Sequence, residues 1–296
     1  MCLAGFGLTA HFRPGRVTVK EVVMSDRIRL LIIDPQMDFC DGPANGALPV
    51  PGAYADMTRL AAMIDRLGER IGGIDVTMDS HHPLDIAHPT WWQDGDGGNP
   101  PPFTLISTQD VAAGRWQPRN PAWGQRSLDY VHKLEANGKY ALVIWPPHCL
   151  IGSSGHAVQT ELFAALRRWE ERALSPVNFV VKGANPFTEH YSAVAAEVPD
   201  PTDPATGLNR DLLERLTDCD VLLMAGEALS HCVKATVTDI ADNIDSAHIR
   251  KFVLLTDCTS PVPAIPGGPD FPAAGQAFIT HMQGRGMRVR ASTEFH

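Results

Sequence analysis

"CDVLLMAGEALSHCVKATVTDIADNI", residues 219–244, decides the fold. The apolar run "VLLMA" reads as a strand buried on both faces, and "HCVKATVTDIADNI" after it reads as a helix. The same alternation extends in both directions. Upstream, "RLLIIDPQ" (29–36) is an apolar strand ending in an acid and a proline, followed by the helical "ADMTRLAAMIDRLGERIG" with Gly72 and Gly73 at its expected end. "IDVTMDS" and "YALVIWP" read as the second and third strands. "HAVQTELFAALRRWEER" is a helix and "NFVVKG" a strand; "LNRDLLERLTD" then leads into "CDVLLMAGE". Downstream come "KFVLLTD", the helical "FPAAGQAFITHMQGRGM" and "RVRAS". Short apolar strands alternating with helices predict right-handed βαβ units, hence a parallel sheet covered on both faces.

The bulk properties fit such a domain. The chain has 296 residues, 44% hydrophobic and 20% charged, enough for a sizeable core. The net charge of −9 and the lack of a Lys/Arg-rich run exclude nucleic acid and anionic membrane surfaces as expected partners. No apolar run approaches the length of a membrane span. The cysteines Cys2, Cys40, Cys149, Cys219, Cys232 and Cys258 form no C-x-x-C pair. With no secretory signal, they point to a reduced, cytoplasmic protein. Residues 1–25 read as a loose extension in which Met24 is an alternative start, and residues 26–296 as one domain with an insertion at about 92–140.

Ligands of a parallel sheet sit outside the carboxyl ends of its strands. Five polar residues fall there: Asp34, Asp79, His148, Lys182 and Cys232. Singly, each has a plain structural reading, as a helix cap, a turn residue or a core filler. Together they form a reactive set. Cys232 lies at the start of a helix, whose N-terminus favours a thiolate, so a lowered pKa is expected. Asp34 is a candidate proton acceptor and Lys182 a positive partner for both. "DSHHP" (79–83) places Asp79 and His81 where they can share a metal, and His148 can complete the set with positions left open. No dinucleotide or P-loop signature is present, and "IGSSGH" (151–156) is a weak phosphate motif.

These residues resemble the nicotinamidase-type cysteine hydrolases of the isochorismatase-like superfamily. The resemblance covers most of the chain after Arg27 and rests on "IIDPQMDFC", "DSHHP" with "WPPHC", "VVKGANPFTEHYSA" and "AGEALSHCVKAT", in the family's order. It implies an α/β fold, a three-layer α/β/α sandwich with a six-stranded, mainly parallel sheet in the order 3-2-1-4-5-6. It implies hydrolysis of a small carboxamide such as nicotinamide to the acid and ammonia through a thioacyl enzyme, with a place in pyridine-nucleotide salvage. Carried over by position, Cys232 is the nucleophile, Asp34 the proton acceptor and Lys182 their support. The amides of Ala228 and Cys232 form the oxyanion hole beside a cis peptide between Glu227 and Ala228. Asp79, His81 and His148 hold zinc, iron or manganese, zinc foremost, with His88 an additional candidate. Phe39 and Trp145 flank the substrate ring, and the partners implied are a small-molecule substrate and further copies of the chain in a homo-oligomer.

Three features depart from the family. Residues 92–126, rich in Trp, Pro and Gly, are an insertion beside the metal residues and read as a lid, an oligomer contact or a peripheral loop. The doubled histidine lets the ligand register slip between His81 and His82, of which His82 reads as a loop or supporting residue. Glu227 stands where the family has an apolar residue. A buried charge needs a partner, so Lys182, Arg115 or a backbone turn is expected beside it unless it faces solvent. Two rival readings accompany the first: a metal-free isochorismatase-like or N-carbamoyl amide hydrolase, and a non-catalytic metal-stabilised scaffold.

Overall fold

The computed structural model describes residues 27–42, 46–265 and 268–295. The expected extension at 1–25, with Met24, lies outside the described residues. Six strands make the central sheet: β1 (Ile28–Ile33), β2 (Ile71–Asp79), β3 (Asn178–Lys182), β4 (Val221–Gly226), β5 (Phe252–Leu255) and β6 (Arg288–Arg290). Every neighbouring pair is parallel, and the spatial order is 3-2-1-4-5-6.

The period-two alternation of a strand sorts each apolar run onto two faces. Leu30 and Ile32 of β1 point to one core with Leu60 and Ile64 of α1 (Ala53–Leu67). The helix of residues 160–173 joins them there through Leu162 and Trp169. Leu31 and Ile33 point to the opposite core, with residues from the helices at 210–217, 234–243 and 271–284, among them Leu212, Val237 and Phe278. This is a three-layer α/β/α sandwich. Both faces of β1 and β4 are dry, which is why their sequences read as continuous apolar runs.

Helix α1 ends earlier than expected. Gly68 takes φ +53° directly after the last core residue, Leu67, and stops it there. Gly72 and Gly73 lie in β2 instead. The expected strand "YALVIWP" is not part of the central sheet. Only Leu142 and Val143 pair, antiparallel, with Leu105 and Ile106 of the insertion. Its side chains from Leu142 to Trp145 are buried in the core all the same, so an apolar run that looked like a sheet strand is satisfied by packing.

The insertion is folded. It contains α2 (Thr108–Ala112), capped by Ser107 and Asp110, and α3 (Gly124–Asn137), which buries Tyr130, Val131 and Leu134. The remaining helices are α4 (Thr160–Ala173), α5 (Arg210–Thr217), α6 (Lys234–Asn243) and α7 (Phe271–Gly284). No helix among the described residues is long and apolar enough to cross a membrane.

Candidate active site

Parallel strands deliver their last residues to one edge. Asp34 follows β1, Asp79 ends β2, Lys182 ends β3 opposite Asp79, and Cys232 lies in the turn after β4. The Lys182 ammonium ties them together. Its Nζ stands 2.9 Å from Asp34 Oδ2 and 2.9 Å from Asp79 Oδ1. It also donates to the His190 carbonyl at 2.7 Å and lies 3.7 Å from Cys232 Sγ. All four side chains are buried. Gln36, two residues beyond Asp34, hydrogen-bonds both the N–H and the C=O of Asp79 at 2.7 Å, locking the end of β2 against β1.

The electrostatics correct one expectation. Burial pushes the Cys232 thiol well above its ordinary pKa; Lys182 opposes this, and the Asp34 carboxylate adds to it. Desolvation and two carboxylates thus outweigh the helix start, and the resting thiol is neutral. Asp34 is also raised by burial, against the pull of Lys182. Lys182 stays charged: burial disfavours the ammonium, but Asp34 and Asp79 outweigh it and raise its pKa well above the usual value.

The turn from β4 to α6 has little freedom. Gly226 has φ +119°, and a Cβ there would lie 1.9 Å from the Ile33 carbonyl oxygen, so only glycine lets β4 end so close to β1. The Glu227–Ala228 peptide is cis. The Ala228 carbonyl accepts hydrogen bonds from His231 N and Val233 N, at 3.0 and 3.2 Å, which closes the loop under Cys232.

A second cluster lies beside the first. One ligand atom from each of Asp79, His81 and His148 falls within 4.8 Å of the others. A backbone bridge between His81 and Leu150 draws the two loops together. Each histidine is oriented from behind. His81 Nδ1 lies 3.0 Å from Asp85, His148 Nδ1 lies 2.9 Å from the Pro146 carbonyl, and His88 Nδ1 lies 3.2 Å from the His82 carbonyl. With Nδ1 of each ring occupied, Nε2 is the free nitrogen. The Nε2 atoms of His81 and His148 stand 3.1 and 3.4 Å from Asp79 Oδ2. That of His88 is buried with no partner, and its ring is 5.0 Å from His81 and 5.5 Å from His148. Burial pushes His88 down to about 4, so its ring is neutral. Carboxylate and imidazole donors, each held by an outer hydrogen bond, suit a divalent transition-metal ion. Of the doubled histidine, His81 is buried in the cluster, while His82 is exposed and contributes only its carbonyl.

Cys232, Ala228, Asp79 and His148 line one cleft together with Phe39 and Trp145. The sequence reading missed six other walls: Leu48, Val50, Glu189, Tyr191, His231 and Val262. Tyr191 is held by Trp145, whose indole N–H donates to its hydroxyl at 3.0 Å. Burial lowers His231 to about 3, leaving a neutral ring. Asp85, the partner of His81, was also missed, although it stands four residues beyond it in "HHPLD".

No protein-family profile and no curated protein matches the chain. Solved structures do. A nicotinamidase/pyrazinamidase of Acinetobacter baumannii superposes with TM-score 0.59 at 18% identity, over 92% of this chain and 100% of that one. Yeast nicotinamidase bound to the inhibitor nicotinaldehyde gives TM-score 0.57 at 19% identity, over 89% and 99%. A Pyrococcus horikoshii pyrazinamidase in complex with zinc gives 0.52 at 20%, over 90% and 99%. The chain has the nicotinamidase fold.

On this nicotinamidase fold, the other two departures seen in the sequence are now placed. Glu227 is fully buried, which removes the solvent-facing alternative. Its partner is a backbone turn: Ser260 N donates to Oε2 at 3.1 Å. Lys182 is engaged with the aspartates, and Arg115 is 72% exposed against Asp110. No described residue of 92–126 lines the cleft. The insertion, taken as 92–140, reaches the cleft walls indirectly: Phe103 meets the Trp145 ring edge-on at 6.0 Å, and Tyr140 packs against Tyr191 at 4.5 Å.

Proposed function

We propose that the protein is a metal-dependent cysteine amidohydrolase that converts a small ring carboxamide, nicotinamide or a near analogue, to its acid and ammonia. The observation that carries this reading is the Lys182 ammonium, which bridges Asp34 and Asp79 and reaches the Cys232 sulfur at the floor of a mostly apolar cleft. A buried neutral thiol needs a base, and Asp34, held 2.9 Å from the Lys182 ammonium that also reaches the sulfur, is the candidate. Asp34 takes the thiol proton as sulfur attacks the amide carbon. The amides of Ala228 and Cys232 receive the oxyanion. Collapse breaks the C–N bond, and the proton on Asp34 leaves with ammonia. Asp34 then deprotonates a water that attacks the thioester, and the thiol is restored as the acid departs. Lys182 remains an ammonium throughout, keeping Asp34 ionised when the thiol is at rest.

Asp79, His81 and His148, with His88 beside them, would hold the ion, zinc foremost. When bound, that ion supplies a Lewis-acidic contact for a ring nitrogen of the substrate. Phe39 and Trp145 form the ring walls. Cytoplasmic action and self-association belong to the same proposal, the latter tested by light scattering. An ammonia-release screen over carboxamides, with nicotinamide and linear N-carbamoyl amides included, tests the reaction. Release from ring carboxamides supports it, and turnover of N-carbamoyl amides alone would favour the metal-free rival.

The insertion carries its own expected result. Trp92 and Ile106 are buried in the core, so excising 92–126 would cost stability, and the segment is no detachable lid. Phe103→Ala is the cleaner probe. Removing one edge-on aromatic contact behind Trp145 should raise KM for ring carboxamides by about 2-fold to 10-fold with kcat nearly unchanged. Steady-state kinetics with nicotinamide and a non-aromatic amide measure it; an equal change for both would detach Phe103 from ring recognition.

A further inference from the structure

Glu227 has no part in the chemistry above, yet it is buried immediately before the cis peptide of the oxyanion turn. One carboxyl oxygen, Oε2, accepts from Ser260 N at 3.1 Å. Oε1 is buried with no donor among the described residues. A second buried acid, Asp56 of α1, accepts from the hydroxyl of the same Ser260 at 2.6 Å, so the two carboxyl groups meet at one residue. Arg59 pairs with Asp56. The other titratable groups around the pair are Asp41 and Cys40 after β1, and Asp257 and Cys258 after β5. Two buried acids thus meet at Ser260, Arg59 pairs with Asp56 and no cation pairs with Glu227 among the described residues, so a proton on Oε1 is what relieves the second charge.

We propose that Glu227 and Asp56 share a single proton, donated from Glu227 Oε1, and that this proton makes Glu227 the positioning residue of the oxyanion turn. The inference rests on the proposed hydrolase reading for its kinetic consequence only. The turn is anchored on Ser260 twice, by the Glu227 side chain and by Leu229 N, which donates to the Ser260 carbonyl at 2.9 Å. Glu227 N donates to the Ile33 carbonyl at 2.8 Å, tying the same turn to β1. A protonated Glu227 therefore joins α1, the loop after β5 and the turn beneath Ala228. An ionised one would set two carboxylates against each other with one arginine, paired to Asp56.

Burial, and then Asp56, raise the Glu227 pKa well above the ordinary carboxyl value. The fold keeps this proton at pH values where the unfolded chain has lost it. The contribution to stability is therefore whole in acid, and it falls as pH rises from the ordinary carboxyl range toward the folded value. Glutamine reproduces the protonated acid with no proton to lose: its NH2 donates to Asp56 and its carbonyl accepts from Ser260. Thermal unfolding of wild type and Glu227→Gln between about pH 5 and pH 8 tests this directly. The variant should gain on wild type as pH rises, and exceed it by about 2–4 °C at the upper end. Turnover provides the second readout. Glu227→Ala should lower kcat by about 10-fold to 100-fold with KM within about threefold, and Glu227→Gln should recover most of that loss. A Tm gap that does not change with pH would overturn the shared proton, and wild-type kcat in Glu227→Ala would overturn the positioning role. If the alanine variant does not fold, the wild-type–glutamine comparison still decides. If wild type hydrolyses no carboxamide, the hydrolase reading fails, while the pH-dependent Tm gap stands or falls by itself.

Discussion

Cys232→Ala is expected to lower ammonia release by about 10⁴-fold or more while the protein stays folded. In the proposed route the acyl bond forms on this sulfur, which lines the cleft and is the one cysteine sulfur in contact with Lys182 among the described residues. The substitution removes a single buried sulfur beside Ala228, so the packing cost is small, about 1 kcal/mol. The buried Cys40, Cys149, Cys219 and Cys258 share the same chemistry but lack the lysine contact. Their alanine variants should keep activity within about tenfold. Ammonia release and a melting curve on each variant separate the two cases. Wild-type activity in Cys232→Ala would end the thioacyl reading.

His148→Ala comes next in size. It removes one imidazole from the donor set and should cost most bound metal together with about 10²-fold or more in turnover. Asp79→Ala should do the same, and because Asp79 also pairs with Lys182 it should lower Tm by more than His148→Ala does. Metal content by elemental mass spectrometry reads the effect independently of activity. Full metal occupancy in both variants would contradict the ligand assignment. Wild-type activity that survives complete chelation would favour the metal-free rival.

The sheet was legible because β1 from Leu30 to Ile33 and β4 from Leu222 to Ala225 are buried on both faces, and these runs carry no polar interruption. The edge residues followed from that, since an acid or lysine directly after an apolar strand marks the carboxyl end. "YALVIWP" misled for the same physical reason: side-chain burial leaves the same trace whether or not the backbone pairs in a sheet. The helix α3 was hidden, its apolar positions Tyr130, Val131 and Leu134 sparse among polar residues in a segment rich in Gly and Trp. The state of Cys232 could not be read locally. A helix start argues for a thiolate, but burial together with Asp34, brought across from β1, outweighs it. The need of Glu227 for a partner followed from charge burial alone, whereas its meeting with Asp56 depends on how α1 packs under the turn.

The most direct test of the thioacyl route is partitioning by hydroxylamine during turnover of a ring carboxamide. Water and hydroxylamine would compete for the acyl group on Cys232 after ammonia has left. Hydroxamate should therefore appear at the expense of the acid as hydroxylamine is raised, while the rate of ammonia release does not fall. Acid as the sole product at every hydroxylamine concentration, with ammonia release unchanged, would mean that water attacks the amide directly and that Cys232 carries no acyl group.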